Sequence, residues 1–105
     1  LHYEYSSLLL RRTKIDVGPL PEGAVRIALE MRTSPEYAGP AEVTFFLDDR
    51  QVGRGTVDRT VPLVFTASET FDVGMDTGSP VADAYFDDAP FPFEGTLERL
   101  HFRNL

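Results

Sequence analysis

Residues 69–88 hold six carboxylates (Glu69, Asp72, Asp76, Asp83, Asp87 and Asp88) and not one Lys or Arg. Clustered acids support two kinds of chemistry. Calcium takes roughly six to eight oxygen ligands, and loops rich in Asp and backbone carbonyls supply them. A carboxylate pair about 5 to 9.5 Å apart can hydrolyse a glycosidic bond. The spacing favours neither. The run "ETFDVGMDTGSPV" lacks the acids at loop positions 1, 3, 5 and 12 that an EF-hand requires, and no aromatic cleft flanks the acids. A third reading is turn chemistry, in which Asp side chains bond nearby backbone N–H groups and Gly supplies unusual dihedrals. That reading is preferred: Asp72, Gly74, Asp76, Thr77, Gly78 and Pro80 are expected to shape a turn. Asp72 and Asp76 are the two carboxylates nearest to a cation reading.

Other catalytic groups are sparse. His2 and His101 stand at opposite ends of the chain, on polar positions of alternating segments. Two histidines without a third ligand make a poor zinc site. There is no G-x-S-x-G elbow for a serine nucleophile, and "VGRGTV" lacks the Lys of a phosphate loop. Its glycines are expected to relieve a bulge or a tight turn. The aromatics Tyr85, Phe86, Phe91 and Phe93 fall in the proline-rich "AYFDDAPFPF", where a regular strand is not expected. Such a group can stack on sugar rings, dock on a partner, or cap one end of its own domain. Docking or capping is preferred to sugar binding.

The elements that would position these residues are strands. Period-2 alternation runs through "HYEYS" (Tyr3, Tyr5), "TKIDV" (Ile15, Val17) and "VRIALEM" (Val25, Ile27, Leu29, Met31). In "EVTFFLD", Val43, Phe45 and Leu47 share one face while Phe46 takes the other. Turn chemistry in "DDRQ" then predicts a hairpin over residues 42–58. "VPLVFTA" reads as a further apolar strand, and Thr96 is expected to open a last one through "GTLERLHFRNL". Eight prolines and eight glycines cut the chain into short segments, and no helical periodicity spans three turns. The expectation is all-β: an antiparallel β-sandwich or jelly roll with little or no helix.

Composition narrows the partners. A length of 105 residues suits one domain, and a hydrophobic share of 42% supports a core. The formal charge of −7 argues against nucleic acid and anionic membrane. There is no run of about 18 apolar residues that would span a bilayer. Cysteine is absent, which removes disulfides and thiolate chemistry and leaves the compartment open. The chain opens at Leu1 on strand-like residues, so a piece of a longer polypeptide is expected.

Residues 60–102, "TVPLVFTASETFDVGMDTGSPVADAYFDDAPFPFEGTLERLHF", resemble the C-terminal end of bacterial arylsulfatases of the alkaline-phosphatase-like superfamily. "TFDVGMDTGSPV" is the most specific part, while "AEVTFFLDDRQVGRGTVDRT" and "GPLPEGAVRIALEM" are similar to the preceding hairpin and segment. "YEYSSLL" departs from the pattern at Ser6 and Ser7. The family hydrolyses sulfate esters with a calcium ion and a formylglycine made within a C/S-x-P-x-R signature. Neither belongs to this stretch, where Ser34 and Pro35 are adjacent and the signature is absent. The resemblance implies a non-catalytic accessory domain over residues 1–105, with no catalytic residue, cofactor or metal of its own. Calcium would belong to the catalytic domain, and that domain of the same chain would be the partner on which the turn from Asp72 to Pro80 docks. Weak self-association through the docking face is a further expectation. A free-standing carbohydrate-binding module and a calcium-stabilised interaction module are the alternatives.

Overall fold

The computed structural model describes residues 1–7, 11–62, 71–75, 83–88 and 92–104. It divides into two compact units, Leu1–Leu63 and Val64–Leu105. The fold is all-β. Five strands occur among the described residues: β1 (His2–Ser7), β2 (Arg11–Asp16), β3 (Ile27–Thr33), β4 (Ala41–Leu47) and β5 (Arg50–Val57). All belong to the first unit.

They form two antiparallel sheets. β1 pairs with β2, from His2 opposite Asp16 to Ser7 opposite Arg11. β3, β4 and β5 form the second sheet in that order. The predicted hairpin is present: β4 and β5 are joined by Asp48 and Asp49, with Leu47 opposite Arg50. Both turn residues have positive φ, 48° and 69°. Two left-handed residues give the turn whose twist matches that of the flanking strands, and Asp tolerates this region better than most side chains.

The sheets meet through residues selected by alternation. Tyr5 and Ile15 from the first sheet pack with Ala41, Val43, Phe45 and Val57 from the second, and Val43 is 0% exposed. Fully burying a Val or Phe side chain contributes roughly 1.5–3 kcal/mol, so these few residues dominate the unit's stability. Tyr3 adds an edge-on ring contact to Phe45, centroids 6.0 Å apart. Close approach is possible because β5 presents glycines. A Cβ at Gly55 would lie 2.4 Å from Ile15 Cδ1, and one at Gly53 would lie 3.2 Å from Val17 Cγ2.

The ladder between β4 and β5 shifts after the turn. Phe46 faces Gln51, but Phe45 faces Gly53, which leaves Val52 as a surplus residue. The sequence expectation of a bulge at these glycines is met, and close sheet contact is a second reason for them. On β3, Ile27 and Leu29 pair with Leu47 and Phe45 and so face the core side, yet each remains 44% exposed. The β1–β2 layer meets the second sheet chiefly where β2 lies against β5, and Tyr3 of β1 reaches Met31 of β3.

In the second unit the described backbone is mostly irregular. Asp83–Asp88 forms a short 3-10 segment, broken at Tyr85 (φ −126°, ψ 19°). This agrees with the doubt over a regular strand in "AYFDDAPFPF". Residues 96–104 form no strand, which corrects the expectation of a final one. Leu97 and Leu100 are three residues apart, so the apolar positions do not keep to one face. No neighbour among the described residues supplies a ladder for them. The strand expected in "VPLVFTA" lies largely outside the described residues, since residues 63–70 are not among them.

Candidate functional site

One turn candidate, Gly74, and one aromatic candidate, Phe93, meet within the second unit. Met75 bridges Pro92 in an isolated antiparallel contact, and Phe93 N donates to Gly74 O at 2.6 Å. Gly74 has φ +80°, so the expectation that this position needs glycine is met. A Cβ there would also lie 3.3 Å from Leu97 Cδ1. Phe93 folds its ring over Gly95, where an added Cβ would be only 2.5 Å from Phe93 Cε1. Asp72 is exposed beside this junction. Tyr85 is half-buried and Phe86 exposed on the 3-10 segment. Asp76, Thr77, Gly78, Pro80 and Phe91 lie outside the described residues.

The unit also leaves apolar groups in solvent. Phe71 and Phe102 touch edge to face at 5.2 Å, yet they are 72% and 73% exposed. Phe86, Phe93, Leu97 and Leu100 are also more than half exposed. Aromatic edge contacts contribute about 0.5–1.5 kcal/mol, which orders the pair without covering it. Among the described residues, no group of three or more His, Cys, Asp or Glu could hold a metal ion. His2 and His101 are both exposed, as their polar positions predicted.

A second arrangement, in the first unit, escaped the sequence reading. Ser7 and Arg11 pair across β1 and β2, on the same face as the Tyr5–Thr13 pair. With Arg12, Asp58 and Arg59, these residues line a concavity of about 160 Å³. Arg12 meets Glu4 at 3.6 Å. Arg11 and Arg59 make no ion pair among the described residues, whereas Arg26, Arg32 and Arg54 are matched to Asp49, Glu30 and Glu42. "RR" at 11–12 is visible in the sequence, but only the packing of β2 on β5 brings it to Arg59.

One titrating group is displaced. Burial pushes the Tyr3 phenol up to about 12, and the nearby Tyr5 phenol adds to the rise. Tyr3 Oη lies 4.0 Å from Met31 Sδ, a weak acceptor that does little to stabilise a phenolate. This describes a core tyrosine, since a base poised for catalysis needs a value near neutrality.

No family model, no curated protein and no solved structure matches the chain.

Proposed function

We propose that the chain is a non-catalytic accessory domain that packs on and stabilises a larger catalytic body, and that the body is an arylsulfatase. The observation that supports docking is the set of exposed apolar groups among the described residues of the second unit, where Phe71, Phe86, Phe93, Leu97, Leu100 and Phe102 stand largely in solvent. Exposed apolar groups gathered in one segment mark surfaces that another protein covers. Support for the parent enzyme comes from the resemblance of residues 60–102 to the C-terminal end of that family. In this reading the turn at Asp72 and Gly74 sets the path of the chain, and Phe93 locks it through its bond to Gly74.

The upstream reading frame provides the first test and should encode a C/S-x-P-x-R signature. In the full-length enzyme, Phe71→Ser with Phe102→Ser should lower the melting temperature by several degrees. The same pair should lower melting of the 105-residue chain by clearly less, since only the edge contact between the two rings is lost there. An upstream frame without the signature, or equal shifts in both proteins, counts against the proposal. The 105-residue chain alone should not hydrolyse aryl sulfate esters.

A further inference from the structure

We infer that the concavity at the end of the first unit binds a small tetrahedral oxyanion, sulfate or phosphate, free or as a monoester. Three of the chain's ten basic residues line it, on a protein whose formal charge is −7. Arg11 and Arg59 carry like charges with Asp58 beside them in the same lining, and an anion between the two guanidiniums reduces their repulsion. Arg11 has its cross-strand partner in Ser7 and no carboxylate bound to it; Arg59 follows the end of β5 and is likewise unpaired among the described residues. A guanidinium presents a planar fork of donors that matches two oxygens of an oxyanion. Ser7 and Thr13 bring hydroxyl donors to the same lining. A volume of about 160 Å³ is close to that of cavities that take up benzene, enough for one such anion and the first atoms of an ester.

Two carboxylates bear on the site, and they set its limits. Glu4 pairs with Arg12 and removes that arginine's full charge from the count. Asp58 lies in the lining and opposes any anion. The site is therefore weakly cationic. It suits a single small anion better than a polyanion, which needs an extended basic track.

The test is an amide NMR titration of the 105-residue chain with sodium sulfate, sodium phosphate and a monosaccharide sulfate, each against chloride at matched ionic strength. Saturable shifts should be confined to Ser7, residues 11–13 and residues 58–59. Tighter binding of the sugar ester would identify an esterified ligand, and equal binding of the inorganic ions a free one. Either Arg11→Gln or Arg59→Gln should weaken binding roughly tenfold, the loss expected from one charge-assisted hydrogen bond. Asp58→Asn should tighten it several-fold, a gain that no unfolding artefact can imitate. Non-saturating shifts equal to those with chloride, affinity unchanged by the arginine variants, or no gain from Asp58→Asn would overturn the assignment.

Discussion

Arg26 and Asp48 exchange two hydrogen bonds. Arg26 N donates to Asp48 Oδ1 at 2.9 Å, and Asp48 N donates to Arg26 O, also at 2.9 Å. The Arg26 guanidinium meanwhile binds the Asp49 carboxylate. The segment entering β3 is thereby tied to the turn between β4 and β5.

The double bond makes Asp48 the more sensitive of the two turn residues. Asp48→Ala removes an acceptor and leaves an ordinary Cβ residue at φ 48°, so a loss of about 1–2 kcal/mol is expected in urea unfolding. Asp48→Asn keeps Oδ1 and should cost less than about 0.5 kcal/mol. Asp49→Gly relieves a φ of 69° but gives up an exposed ion pair, for a net gain of a few tenths.

At Gly55 the opposing sheet leaves no room for a side chain. Gly55→Ala drives a methyl into Ile15 Cδ1 and Cγ1, and overpacking of this kind costs about 1–3 kcal/mol. Ile15→Val removes Cδ1 and should recover part of that loss. A double-mutant cycle measured by chemical denaturation should therefore be clearly non-additive.

Tyr5 holds the chain that follows β5. Its hydroxyl accepts from Val61 N at 2.7 Å, fifty-six residues away in sequence. Tyr5→Phe should cost about 1–2 kcal/mol by leaving that amide unpaired. Hydrogen exchange at Val61 should accelerate more than exchange within β4. Equal acceleration at both would mean the bond has no local role.

Much of the first unit was legible in the sequence, for a physical reason. Val43, Phe45, Tyr5 and Ile15 each sit on the apolar side of an alternating run, and alternation fixes the face a residue takes in any sheet. The Asp-Asp turn was legible because few residues tolerate positive φ. The arginine-lined concavity was not, since Arg11 and Arg59 are brought together by packing between sheets, which leaves no periodic trace. The last strand was misread because apolar content at Leu97, Leu100 and Phe102 says nothing about a hydrogen-bonding neighbour. At the turn candidates the need for glycine at Gly74 was legible, but the bond from Phe93 to its carbonyl was not.

Alkali offers a fourth measurement. A tyrosine free in the unfolded chain titrates near about 10, whereas burial takes Tyr3 up to about 12. The unfolded state therefore loses its proton first. The contribution of Tyr3 to stability is complete below the unfolded value and is lost as pH rises through the folded one. Unfolding midpoints should fall across this window, and Tyr3→Phe should flatten the slope. Ultraviolet titration of the folded chain should show one phenol lagging behind the others. A slope untouched by the substitution would assign the alkaline loss to another group.

The surplus residue Val52 reverses the parity of everything after it. Counting outward from the turn without it, Val43 would face Arg54 and Phe45 would face Val52; as folded, Val43 faces Gly55 and Phe45 faces Gly53. A single irregular step thus decides that a guanidinium points out to Glu42 while two bare backbones receive the opposing layer. A slip of one place in this strand would put a cation where the protein is driest.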